Sequence, residues 1–283
     1  MTTNAEHCAD LVREADRDRY LATLFAPAQH RDALLALYAF NVEIARVREL
    51  AREPMPGEMR LQWWREALAG ERDNEAAAHP VAAALREALD RYGLSADPLQ
   101  AFIDAHTFDL YDAPMATLAA FDDYASATQG AVFTVAAAIL GGLTPASQTL
   151  CRHAAIAYTV AGVVANLPLH AARRQIYVPQ DVLGRHGVLP EAVYAREDSD
   201  GLRAAMADLR VHAREHMAAG QAALPAAPSA ALPALLPAAT VDAMLRRSER
   251  PGSNPFQPEP LSRFHRQWLL WRAAKNPKRL FRR

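Results

Sequence analysis

Two histidines one helical turn apart, with a glutamate between them, form the sharpest chemical pattern in this 283-residue chain: His212-Ala-Arg-Glu-His216. On a helix this H-x-x-E-H spacing sets both imidazoles on one face, where they can ligate zinc while the acid serves as base to a bound water. No third ligand suggests itself nearby in the chain, and the helix around the motif is polar. Two histidines on a solvated helix explain the run more simply, so no metal is expected. His106, Asp109 and Asp112, at i, i+3 and i+6 beside Asp104, offer carboxylates to a cation, but ordinary ion pairing and capping account for them. The chain has no Gly-rich phosphate loop, no G-x-S-x-G elbow and no supported Cys/His pair. Its two cysteines, Cys8 and Cys151, lie far apart and read as buried thiols in a reducing compartment.

The elements that would position these groups are helical almost throughout. Asp10–Phe25 reads as a helical run stopped at Pro27, and Gln29–Arg52 as a second stopped by Pro54 and Pro56, the two packing antiparallel. Gly57–Ala69 ends at Gly70, Val81–Tyr92 ends at Gly93, and Ser95 is placed to cap the next run to Tyr111. Asp122–Leu140 and Ser147–Arg174 are the longest and most apolar runs and are expected at the centre of a bundle. Ser199–Ala223 carries only a thin apolar stripe and is expected at the periphery. Pro225, Pro228, Pro233 and Pro237 break the following segment into short pieces, yet Leu224, Leu232, Leu235 and Leu236 need burial, which argues for a connection inside one domain. Residues 1–283 thus read as a single all-α domain, with 263–283 as a terminal helix bearing Trp268, Leu269 and Trp271, followed by a basic tail.

Composition agrees. The chain is 51% apolar and 22% charged, rich in alanine, with 12 glycines and 7% aromatics, a mix that favours helix and excludes an all-β fold. With 31 basic and 32 acidic residues the net charge is -1, so no global field draws the molecule to nucleic acid. Met1–Asp10 has neither the positive nor the apolar region of a secretory signal, and no window is long and apolar enough to span a bilayer, so a cytoplasmic chain is expected. Lys275, Lys278, Arg279, Arg282 and Arg283, beside Leu280 and Phe281, could rest on anionic lipid as a peripheral contact at an inner membrane. A frayed, solvated terminus is the plainer reading of the same residues.

Four segments in order, Asp18-Arg-Tyr-Leu-Ala-Thr-Leu-Phe-Ala-Pro27, Leu37-Tyr-Ala-Phe40, Leu61-Gln-Trp-Trp-Arg65 and Ala172-Arg-Arg-Gln-Ile-Tyr-Val-Pro179, resemble the squalene/phytoene synthase family along nearly the whole chain. The resemblance implies an isoprenoid-synthase bundle around an apolar cavity, which in active members condenses two prenyl diphosphates head to head. That chemistry uses Mg²⁺ held between two acidic helices so that diphosphate can leave. Laid onto this chain, the first acidic motif falls on Ala45, Arg46 and Glu49, and the second on Asn166, Leu169 and His170. One carboxylate remains of the set. Family arginines fall on Val42 and Ala165, and the Ser-x-Ser pattern that helps seat a diphosphate falls on Asp16 and Asp18. Each lost transition-state contact costs about 2.7 to 4 kcal/mol, so several losses leave little of the reaction.

The pattern is further similar to the complex I assembly factor 6 branch of the family, through Ala39-Phe-Asn-Val-Glu-Ile-Ala45, Leu167-Pro-Leu-His170 with Arg173-Arg174, Asn254-Pro-Phe256 and Trp268 to Arg272. The resemblance implies a non-catalytic assembly or binding factor, with a membrane respiratory-complex subunit as partner, no catalytic residues and no cofactor. Two alternatives stay open. A transferase could hold diphosphate through Arg46, Arg48, Arg173 and Arg174, with Mg²⁺ required only in that case. An isoprenoid or lipid binder could use a cavity lined by Tyr38, Val42, Tyr124, Val163 and Tyr177, unless side chains fill it. Glu49 and His170, at facing motif positions, are expected to pair across the former metal site.

Overall fold

The computed structural model describes residues 3–51 and 53–281, which are helical with no strand among them. Arg52, which ends the second predicted run, and Arg282 and Arg283 of the basic tail lie outside the described residues.

The first predicted run divides in two. Helix α1 (Asn4–Ala15) starts with a capping box in which Thr3 and Glu6 exchange hydrogen bonds, and it ends where Asp16 adopts φ -136° and caps α2 (Arg17–Thr23) by accepting from the Arg19 amide. An aspartate that bonds its own downstream backbone competes with a continuous helix, and here it wins. The second run likewise yields α3 (Arg31–Ala45) and a short α4 (Val47–Leu50) turned at Arg46. Helix α3 packs along α1 and is buried on nearly every side, from Ala33 to Val42. Helix α5 (Pro54–Ala69) stops at Gly70, whose φ of 82° suits a residue without Cβ. After α6 (Asp73–Ala78), α7 (Pro80–Tyr92) stops at Gly93 in the same way, and the Ser95 hydroxyl accepts from the Asp97 amide where α8 (Asp97–His106) begins.

Helices α9 (Leu118–Ala125) and α10 (Ala131–Ile139) form one rod interrupted by a π-turn at Ser126–Gly130. The long α11 (Pro145–Ala165), capped by Thr144 and Ser147, stops at Asn166, and α12 (Leu167–Ala172) restarts with Pro168 in its first turn, where the missing N–H costs nothing. Both lie in the core, as expected from their sequence. Two short helices, α13 (Gln180–Arg185) and α14 (Pro190–Tyr194), lead to α15 (Asp200–Ala223), capped by Ser199.

Helix α15 is not peripheral. It packs against α11 more extensively than any other pair of elements does, and it buries Leu202, Ala205, Met206, Leu209, Ala213, Met217 and Gly220. The stripe reads as thin because only two of these are leucines, while alanine and glycine bury little apolar surface of their own. The proline-broken segment coils through 3₁₀ turns and α16 (Leu232–Leu235), with Leu224, Leu235 and Leu236 buried, before α17 (Val241–Ser248). Helix α18 (Arg263–Lys275) buries Leu269 and Leu270, while Trp268 and Trp271 of its expected apolar face stand half-exposed. Among the described residues no helix is long and apolar enough to cross a membrane.

Candidate functional site

The C-terminal ends of α3 and α11, with the short helices that follow them, bring together the positions at which the resemblance places Mg²⁺ ligands. Ala45, Arg46, Glu49, Asn166 and Leu169 are exposed there. The one carboxylate, Glu49, is taken: Arg173 Nη2 donates to its Oε1 at 3.0 Å. Glu49 therefore meets Arg173, three residues beyond His170, rather than His170 itself. The His170 Nδ1 is buried without a hydrogen-bond partner, and its ring lies 4.7 Å from that of Tyr177. Burial pushes His170 down to about 4, against the pull of Asp109. A hard dication needs several oxygen ligands, and one arginine-bound carboxylate among alanine, leucine, asparagine and histidine does not fit it.

Three of the four arginines offered for metal-free phosphate binding have other partners. Arg48 Nη2 lies 3.0 Å from Asp112 Oδ1, Arg173 holds Glu49, and Arg174, in the left-handed region at φ 55°, stacks 4.7 Å over the Tyr194 ring. Arg46 is exposed at the end of α3.

At the Ser-x-Ser positions the two aspartates are also tied down. Asp18 is buried and meets Arg266 at 2.5 Å; burial raises its pKa although Arg266 pulls the other way. Asp16 pairs with Arg19 at 2.6 Å. Arg19 is a cation in the core, its Nη2 donating to Gln129 at 2.5 Å and its guanidinium facing the rings of Tyr38, Tyr158 and Phe133. Burial opposes its charge most strongly, but the Asp16 carboxylate together with the Tyr158 and Tyr38 side chains leaves the pKa raised. Tyr38, Val42 and Val163, expected to line a cavity, are buried in the interior.

Tyr124 and Tyr177, the other expected cavity residues, both donate to Asp109 Oδ1, at 2.9 and 2.7 Å. His106 Nδ1 lies 2.6 Å from Asp109 Oδ2, and Gln175 donates to the Asp109 carbonyl at 2.6 Å. Burial, then the Asp109 charge, raises both phenols well above their usual range. His106, Asp109 and Asp112 do not share a helix face, because α8 ends at His106; Asp104 pairs with Arg65 and Asp112 with Arg48. Ion pairing thus accounts for that cluster. His106 beside Asp109 is visible in the sequence, but the two tyrosines that make Asp109 a hub stand 15 and 68 residues away and are not.

Next to Ala165 and Asn166 opens a cleft of about 470 Å³ between α11, α15, α17 and the loop 250–261. Arg210, Arg247, Arg250 and Arg266 line it, answered by Glu259 and by Glu249 and Asp18 at its edges. On the far side of α18, Leu24 and Phe25 of α2's end face Phe264, Trp268 and Trp271 across an apolar groove of about 260 Å³.

Comparison with known proteins agrees with this architecture. Mouse NADH dehydrogenase (ubiquinone) complex I, assembly factor 6 is 28% identical over 270 residues, covering 93% of this chain and 81% of that protein. The human protein of the same name is 27% identical over 252 residues, covering 89% and 76%. Among solved structures, squalene synthase HpnC from Alicyclobacillus acidocaldarius superposes with a TM-score of 0.75 at 24% identity, over 90% of this chain and 95% of that one. A dehydrosqualene synthase in complex with ligand gives 0.81 at 16% identity, over 97% and 96%. The squalene/phytoene synthase profile matches residues 12–272, and with that span, this fold and these motif positions the chain belongs to the squalene/phytoene synthase family.

Proposed function

We propose that this protein is a non-catalytic member of its family that aids assembly of a membrane respiratory-complex subunit; the names of its relatives, which call them assembly factors of NADH dehydrogenase (ubiquinone) complex I, support the assembly part of this reading. The observation that carries the reading is the Glu49–Arg173 ion pair, which ties up the last carboxylate at the six former metal positions. The replacement of both diphosphate-seating serines by aspartates bound to Arg19 and Arg266 supports it. The apolar groove of Phe264, Trp268 and Trp271, with Lys275, Lys278 and Arg279 following, supports peripheral contact with an anionic inner membrane. Incubation with farnesyl or geranylgeranyl diphosphate and Mg²⁺ tests the reading. No head-to-head product is expected; turnover on the order of 1 s⁻¹, an ordinary enzyme rate, overturns it. In cells lacking the chain, native gels are expected to show less assembled NADH dehydrogenase complex.

A second reading, binding of a prenyl diphosphate or an anionic lipid without metal, rests on the four arginines of the cleft beside Asn166. It requires the melting temperature to rise with prenyl diphosphate whether or not Mg²⁺ is present.

A further inference from the structure

The H-x-x-E-H run gains in three dimensions the ligand that its neighbourhood in sequence lacks. His212 and His216 lie side by side on α15, ring centres 4.6 Å apart. Facing them is Asp122 of α9, 90 residues distant: its Oδ1 stands 2.7 Å from His212 Nε2, and its Oδ2 stands 3.8 Å from His216 Nε2. One ligand atom from each of the three residues lies within 4.8 Å of the other two. Two ligands at zinc's usual bond lengths sit about 3.3 Å apart around a tetrahedral ion, so these side chains need only small rotations to close on one.

We propose that Asp122, His212 and His216 bind a divalent transition-metal ion of the zinc class. One of the two rings is supported on its outer side as a metal-bound imidazole requires: His153 of α11 places its Nδ1 3.0 Å from His216 Nδ1, so His216 turns Nε2 to the shared centre and Nδ1 to a partner that fixes its tautomer. His212 also turns Nε2 to Asp122, with Glu215 Oε2 4.0 Å from its Nδ1, beyond hydrogen-bond reach. Two imidazoles and one carboxylate suit zinc, cobalt, nickel or iron(II), and not Mg²⁺, which takes oxygen. The three side chains keep 14%, 16% and 19% of their surface in solvent, so an ion can enter and retain a coordination position for water. The ion would staple α9 to α15, with His153 of α11 held against His216. The site shares no residue with the Glu49–Arg173 pair, and the inference does not depend on the assembly role.

The test is calorimetric titration of the chelator-treated full chain with Zn²⁺, Co²⁺ and Mg²⁺. One equivalent of Zn²⁺ is expected to bind, Co²⁺ to give visible bands of a low-coordinate site, and Mg²⁺ to give no heat. Asp122→Asn, His212→Gln and His216→Gln are each expected to weaken Zn²⁺ at least tenfold and to abolish the cobalt bands. His153→Gln is expected to weaken it less, and His265→Gln on α18 to leave it unchanged. Circular dichroism and melting of the metal-free variants check folding, and the wild-type cobalt spectrum stands whatever the variants do. No zinc uptake by wild type, or uptake unchanged in the three ligand variants, overturns the proposal and makes the cluster a set of hydrogen bonds only.

Discussion

Arg19 holds Asp16 at 2.6 Å while its guanidinium carbon lies between 5.5 and 5.8 Å from the ring centres of Tyr38, Tyr158 and Phe133. A charge so enclosed depends on its partner, because removing one half of a buried pair strands the other. Arg19→Met is therefore expected to cost about 3 to 5 kcal/mol in urea unfolding. The double variant Arg19→Met, Asp16→Asn, which keeps a capping side chain for α2, is expected to recover a large part of that loss.

The Glu49–Arg173 pair is the opposite case. Both side chains are more than a third exposed, and water screens their attraction. Glu49→Ala and Arg173→Ala are each expected to change stability by less than about 1 kcal/mol. A shift of the melting temperature by ten degrees would show that the pair does more than occupy the old metal positions.

His170 carries a pH dependence whose sign follows from its depressed pKa of about 4. Between pH 6.5 and 4 the unfolded chain takes up a proton that the native His170 refuses, so stability present above pH 6.5 is lost on acidification. His170→Phe, next to the Tyr177 ring, is expected to flatten the fall of urea midpoint over that interval. The wild-type loss traceable to this residue is on the order of 2 kcal/mol. Equal slopes in both proteins would refute the assignment.

The thiols act at the other end of the scale. Burial raises Cys8 to about 11 and Cys151 to about 12, from an ordinary value of 9.0. Above pH 9 the unfolded thiols lose protons that the native ones keep, so their contribution to stability is present below pH 9 and lost as pH rises. Cys8→Ala with Cys151→Ala is expected to lessen the alkaline fall in midpoint, and in the wild type a disulfide reagent at pH 8 is expected to label neither thiol before unfolding.

Two glycines separate tight packing from tolerant packing. A Cβ at Gly142 would meet the Ala231 amide nitrogen at 2.5 Å, whereas one at Gly57 would meet the end of the Leu110 side chain at 2.6 Å. Backbone cannot yield as a leucine tip can. Gly142→Ala is expected to destabilise by about 2 kcal/mol or more and Gly57→Ala by less, read from paired urea curves.

Much of the helical order is legible in the chain itself, since Gly70, Gly93, Ser199 and the prolines mark ends that the structure keeps. The breaks at Asp16 and Asn166 are less so, because each depends on a side chain or a neighbouring proline prevailing over an otherwise helical run. Depth is harder still: Arg19 reads as a surface residue until Asp16, Gln129 and three rings close around it. Asp122 carries no local sign of its role, and Asp109 only the nearby His106, for the other partners of both come from elements farther along the chain. The positions at which the resemblance places the acidic motifs can be read from the chain; the partner that Glu49 finds there, Arg173, cannot.

The π-turn at Ser126–Gly130 fixes more than the course of one helix. It absorbs one residue beyond ordinary α winding, so the faces of α9 and α10 keep their register across it, with Phe121 inside and Asp122 turned to α15. A single deletion there is taken up by a return to α winding. A second finds no such slack and would swing Asp122 by about 100° around the axis, away from the histidines.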